Sequence, residues 1–95
     1  MRIIVESIGL PALAGAIGRR MEVELEGASL ADLVDQIVRG LPPEARRVLL
    51  NSEGALDFSV QVMRNEEGFM PRGRLAEIRL AEGDRVRFLL LACGG

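Results

Sequence analysis

The 95-residue chain reads as an α+β domain in which one main helix packs on one face of a mixed β-sheet. Three observations predict this. Apolar and polar residues alternate in several short stretches, the period of a half-buried strand. One segment, 30–38, carries the 3.6-residue repeat of an amphipathic helix. The first and last strands are apolar on both faces, as strands at the centre of a sheet are. A hairpin followed by a right-handed crossover helix would then set further strands beside the first pair. No internal repeat, low-complexity tract or linker interrupts the chain, so residues 1–95 are expected to form one domain. At this length a single core is expected and a large catalytic cleft is not.

The elements follow in order. "RIIVESI" (2–8) is a short apolar strand, and "GLPALAGAIG" after it is a loop or a short helical turn rich in small residues. In "RMEVELEG", Met21, Val23 and Leu25 alternate with Glu22, Glu24 and Glu26, which predicts a half-buried strand with an acidic outer face. In "ASLADLVDQIVRG", Leu30, Leu33, Val34, Ile37 and Val38 fall on one helical face. Ser29 and Asp32 form a capping-box-like start, because the hydroxyl can accept from the Asp32 amide while the carboxylate reaches back. Gly40 and the pair Pro42-Pro43 end that helix.

"EARRVLL" (44–50) is a further helical turn and "NSEGALD" a turn signal. "FSVQVMR" reads as a strand with Phe58, Val60 and Val62 inward against Ser59 and Gln61. "NEEGFMPRGR" is a loop, "LAEIRL" a short strand or turn, and Glu82-Gly83-Asp84 a tight turn into the last strand, "RVRFLLLA". There Val86, Phe88, Leu90 and Ala92 make one face. Arg85, Arg87, Leu89 and Leu91 make the other, which turns from charged to apolar towards the end.

Composition removes several function classes. Fourteen acids against twelve bases give a net charge of −2, without the clustered positive surface that phosphate neutralisation needs, and the lack of Trp and Tyr removes a stacking platform. No nucleic acid is therefore expected as a partner. No window approaches the roughly 20 apolar residues of a membrane span, and the run Ile3-Ile4-Val5 is cut by Glu6 far short of a signal-peptide core, so a cytoplasmic protein is expected. Histidine is absent and all twelve basic side chains are arginine, so the usual general bases are missing. One cysteine can form no internal disulfide and cannot by itself hold zinc or an iron–sulfur cluster. A self-sufficient enzyme is not expected, nor is a bound metal or cofactor. Glu66-Glu67 could do acid–base work in principle, but adjacent acids in a polar stretch read better as a solvated turn.

The sequence finishes "FLLLACGG", an apolar run that ends on Cys93, Gly94 and Gly95. Residues 93–95 read as an exposed, flexible tail. Leu89 and Leu91 are either buried under the long central segment or form a partner-docking patch beside the tail; the docking assignment also takes in Phe88. Cys93 either fills a small apolar position or offers a thiol for a mixed or acyl disulfide.

Over nearly its whole length the chain resembles the MoaD/ThiS sulfur carriers, ubiquitin-like proteins of the β-grasp fold. The resemblance runs through "MEVELEGASLADLVDQI" and "VQVMRNEE", where Asn65 falls at the family's Val-Asn-Gly turn, to "LAEGDRVRFLLLACGG", with its Gly-Asp turn, strand and terminal Gly-Gly. The loop after the first strand and the long stretch after the helix make it most similar to the molybdopterin-synthase small subunits. Two departures stand out: Leu-Leu-Ala-Cys before Gly-Gly, and Glu-Glu after Asn65.

The resemblance implies a β-grasp fold with an extended C-terminal tail. It implies that the Gly95 carboxylate is adenylated by an ATP-using, E1-like adenylyltransferase. A sulfur donor enzyme then converts it to a thiocarboxylate that gives sulfur to molybdenum cofactor or a related metabolite. The tail Cys93-Gly94-Gly95 would enter the partner, with Phe88, Leu89 and Leu91 docking beside it, and a molybdopterin-synthase large subunit is an expected partner. A thioacid is ionised near neutrality and nucleophilic, so such a carrier needs no catalytic side chain. Two glycines extend about 7 Å without a Cβ to clash. Two other readings stay open: a ubiquitin-like modifier joined to target lysines through Gly95, and an interaction module whose Gly-Gly is incidental.

Overall fold

The computed structural model describes residues 1–9, 15 and 18–90. Four strands form one sheet: β1 (Arg2–Ile8), β2 (Arg20–Glu24), β3 (Val60–Arg64) and β4 (Arg85–Leu90), in the order β2-β1-β4-β3. β1 pairs antiparallel with β2 and parallel with β4, and β3 pairs antiparallel with β4. The two strands expected at the centre are the two central ones, but only their inward faces are wholly apolar, since Glu6, Arg85 and Arg87 lie on the outward face.

Two helices lie between β2 and β3 in the chain, α1 (Leu30–Arg39) and α2 (Pro43–Leu49). α1 starts on the expected capping box: Ser29 Oγ accepts from the Asp32 amide at 3.1 Å, and Asp32 Oδ2 accepts from the Ser29 and Ala28 amides at 3.1 and 3.0 Å. At its end the Gly40 amide donates to Ile37 O. "EARRVLL" turns out to be most of a second helix, with Pro43 at its first turn, where a missing amide proton costs nothing. A 3₁₀ segment, Arg72–Glu77, is interrupted at Arg74 (φ −131°). After it the chain pairs with the approach to α1: Leu30 N donates to Ile78 O and Leu80 N to Ala28 O, both at 2.9 Å.

The core lies between the helices and one face of the sheet. Leu30, Leu33, Val34 and Ile37 of α1, with Leu41, Ala45 and Leu49, cover Ile3, Val5, Val23, Val60, Val62, Val86 and Phe88. The alternation predicted for β2 holds, with Val23 and Leu25 buried and Glu22 and Glu24 exposed.

Two assignments are corrected. Phe88, expected in the docking patch, is wholly buried in the core: the odd residues of β4 face outward, and its even parity turns it in with Val86. Phe58, expected to point inward from the third strand, is 79% exposed. Asp57 builds a turn there, with Val60 N donating to Asp57 O and Ser59 N to Asp57 Oδ2, each at 3.0 Å, so the strand begins only at Val60.

Candidate functional site

β4 runs in the direction of β1 and against β3, so its C-terminal end, the end of β1 at Ile8 and the start of β3 at Val60 share one pole of the sheet. The chain continues from Leu90 at this pole. The expected tail residues Cys93, Gly94 and Gly95, together with Leu91, lie outside the described residues.

Among the described residues the core occupies one face of the sheet alone, and the other face carries no part of it. Across the central strands the outward side chains form rows fixed by the register: Ile8, Leu89 and Gln61 nearest the pole, then Glu6, Arg87 and Met63, then Ile4 and Arg85. Leu89 is half-buried in the first row, beside Ile8, which is half exposed. Of the three expected docking residues, then, Leu89 alone stands on this face among those described. Ile8 and Gln61 were not singled out from the sequence. The parity of Ile4, Glu6 and Ile8 along β1 was the available signal, and it needed the β1–β4 register to become a row.

Below the first row the outward face is charged. Glu6 Oε1 accepts from Arg87 Nε at 2.8 Å and stands 3.8 Å from Arg85 Nε. Glu66 reaches over from the turn after β3, its Oε1 2.8 Å from Arg85 Nη2 and 3.6 Å from Arg87 Nη2. The two adjacent acids divide their roles, because Glu67 instead takes both Nε and Nη2 of Arg64, at 3.1 and 2.6 Å. That pairing holds the Glu67 carboxyl below its ordinary value and raises the Arg64 guanidinium above its own. Three amide and hydroxyl contacts at the α1 cap, led by the Ala28 amide, hold Asp32 below its ordinary value as well.

On the helix side, a cleft of about 320 Å³ lies between α1 and residues 50–56, lined by Ala31, Val34, Val38, Leu50, Leu56 and Leu75, with Asp35 among the lining groups. Asp35 pairs with Arg39 at 3.5 Å. Among the described residues no group of three His, Cys, Asp or Glu could hold a metal ion, and no helix is long and apolar enough to cross a membrane.

A mixed sheet of this order, its central strands parallel and helices on one face, defines the β-grasp, ubiquitin-like fold. Solved structures agree. The chain is similar to SAMP1 from Haloferax volcanii, with 24% identity over all of both chains and a TM-score of 0.77. It is similar to a structure of the H. volcanii small archaeal modifier protein 1, with 22% identity over 94% of this chain and 95% of that one and a TM-score of 0.73. A third likeness is to a chain of the Amycolatopsis orientalis BexX/CysO complex, with 22% identity, 98% and 99% covered and a TM-score of 0.62. No family model matches the sequence, and no curated protein does.

Proposed function

We propose that the chain is a sulfur carrier that works through its C-terminal carboxylate, the MoaD/ThiS-type role. The observation that carries the reading is the course of β4. The strand before Cys93-Gly94-Gly95 is held on both sides in the sheet, and the chain leaves it at a pole where Leu89 and Ile8 give an apolar rim. In this reading an E1-like enzyme lets the Gly95 carboxylate oxygen attack the α-phosphorus of ATP, releasing pyrophosphate. A sulfur donor at the sulfide level then displaces AMP, and the sulfur of the resulting thiocarboxylate attacks an electrophilic carbon of the acceptor, in molybdenum cofactor or a related metabolite, expelling that carbon's leaving group; water then cleaves the acyl–sulfur bond, which leaves the sulfur on the acceptor and returns the Gly95 carboxylate. Each bond change happens on the partner enzymes, which fits a chain without histidine or lysine. The likeness to a carrier-sized chain solved with a second protein, BexX, supports a partner-dependent role.

A modifier role shares the activation step and differs only in the final nucleophile, a target lysine. The likeness to a small archaeal modifier protein favours keeping it. Intact mass after incubation with an E1-like enzyme, ATP and a sulfide source separates the readings. One sulfur in place of one oxygen, lost on removing Gly94 and Gly95, is the expected result. An amide-linked adduct to another protein would establish the modifier instead, and an unchanged mass would remove both.

A further inference from the structure

We propose that Arg85 and Arg87 form a carboxylate-binding patch on the outward sheet face, which receives an acidic side chain of a partner protein, and that Glu66 is a built-in competitor for it. The two arginines share one fixed counter-ion and one removable one. Glu6 is the fixed one: its side chain is 21% exposed, sits within β1 and bonds Arg87 Nε at 2.8 Å. Glu66 is the removable one: its side chain is 78% exposed and projects from a turn, touching both guanidiniums through a single oxygen.

Arg85 is left incompletely bonded by this arrangement. Its Nε is buried and makes no hydrogen bond among the described residues, while Nη2 has only Glu66. A guanidinium edge that offers Nε and Nη2 together takes a carboxylate through two parallel bonds, the stronger geometry, and Glu67 on Arg64 shows that geometry in this same chain. A partner's carboxylate that displaced Glu66 would take its place on Nη2, and a small rotation of the Arg85 side chain that uncovers Nε would let it settle side-on and satisfy both donors. The exchange is isoelectric. With Glu66 in place the four charges cancel; with it swung out the patch carries one net positive charge, which is what a partner acid would meet. Ile4 and Met63, half-buried in the rows beside the arginines, lower the local dielectric and strengthen the contact. Arg85 stands five residues before Leu90, about 16 Å along the strand from the tail pole, so the patch is a second point of attachment.

The test needs neither the tail nor its chemistry, so its failure leaves the carrier reading standing. The side-chain Nε–H signals of Arg85 and Arg87 are followed by NMR while acetyl-Leu-Glu-Leu-Glu-Leu-amide is added, with the glutamine version and inorganic phosphate at equal ionic strength as comparisons. The Glu peptide is expected to shift both signals saturably and the Gln peptide to leave them in place. In Glu66→Gln the midpoint is expected to fall about two- to fivefold, the worth of one exposed ion pair. Absence of shifts at millimolar peptide, equal shifts with the Gln peptide, the same midpoint with phosphate, or an unchanged midpoint in Glu66→Gln would each overturn the proposal.

Discussion

Asn65 ties the two ends of the β3–β4 connection with one residue. It has φ 52°, the only positive value outside glycine among the described residues. Its amide donates to Arg85 O at 2.7 Å, its Oδ1 accepts from Arg85 N at 2.9 Å, and its Nδ2 donates to Asp84 Oδ1 at 3.1 Å. Asn65→Ala removes two side-chain bonds, about 1 kcal/mol each, and puts a Cβ without local compensation at positive φ, about 1 kcal/mol more. Asn65→Gly loses the bonds but keeps the backbone, so it should cost about 2 kcal/mol against about 3. Urea midpoints should fall in the order wild type, Gly, Ala; a Gly variant no better than Ala would show that backbone strain plays no part. The turn was legible in the sequence, since Asn before charged residues between two strands marks one. Its bonding was not, because Asp84 and Arg85 lie on the far side of a loop and a 3₁₀ segment, and local pattern carries no information about such a partner.

At the scale of the element, α1 depends on a close approach as well as on a cap. A Cβ on Gly27 would stand 2.5 Å from the Asp32 carboxyl carbon, so Gly27→Ala must push the capping carboxylate off the Ala28 and Ser29 amides. The variant should melt at lower temperature and lose amide-exchange protection first at residues 28–32, with β1 and β4 unaffected; uniform loss along the chain would count against a local cause. The same cap sets a pH dependence. Asp32 is held below 3.8 and Glu67 below 4.5 in the folded chain, so as the pH falls through these ordinary values the unfolded chain takes up protons that the folded one refuses. Stability contributed by these groups is complete above that range and is lost below it. Asp32→Asn should therefore flatten the acid limb of the stability curve, and an acid limb identical to wild type would show that the cap contributes nothing to it. Ser29, Asp32 and the apolar repeat make this helix legible in the sequence alone, because every signal is local. Alternation alone misplaces the start of β3, because Asp57 competes for the Ser59 and Val60 amides and cuts the strand short of Phe58, a contest that the pattern does not reveal.

Across the whole molecule, the parallel pairing of β1 and β4 does two jobs at neighbouring positions. It turns Phe88 into the core beside Ser7 and Val62, and it turns Leu89 onto the outward face beside Ile8 and Gln61. The sequence showed an apolar strand and a change along its outer face, but it could not divide the two residues, since both are large, apolar and adjacent to the tail. Substitution should divide them. Phe88→Ala removes a wholly buried ring and should cost about 3–5 kcal/mol, a large share of the 5–15 kcal/mol that holds a small domain together. Leu89→Ala uncovers no cavity, and its melting temperature should stay within a few degrees of wild type. In the proposed carrier role it should nevertheless slow the gain of sulfur at Gly95, through a raised half-saturating concentration of the carrier and with little change at saturation, because the rim acts in docking and not in the bond changes. Measured together, the melting curve and the concentration dependence of activation give two axes. Phe88→Ala should move along the first and Leu89→Ala along the second. A Leu89 variant that activates like wild type at every concentration would remove the apolar rim from the docking surface and leave the tail and the proposed Arg85–Arg87 patch to account for partner binding.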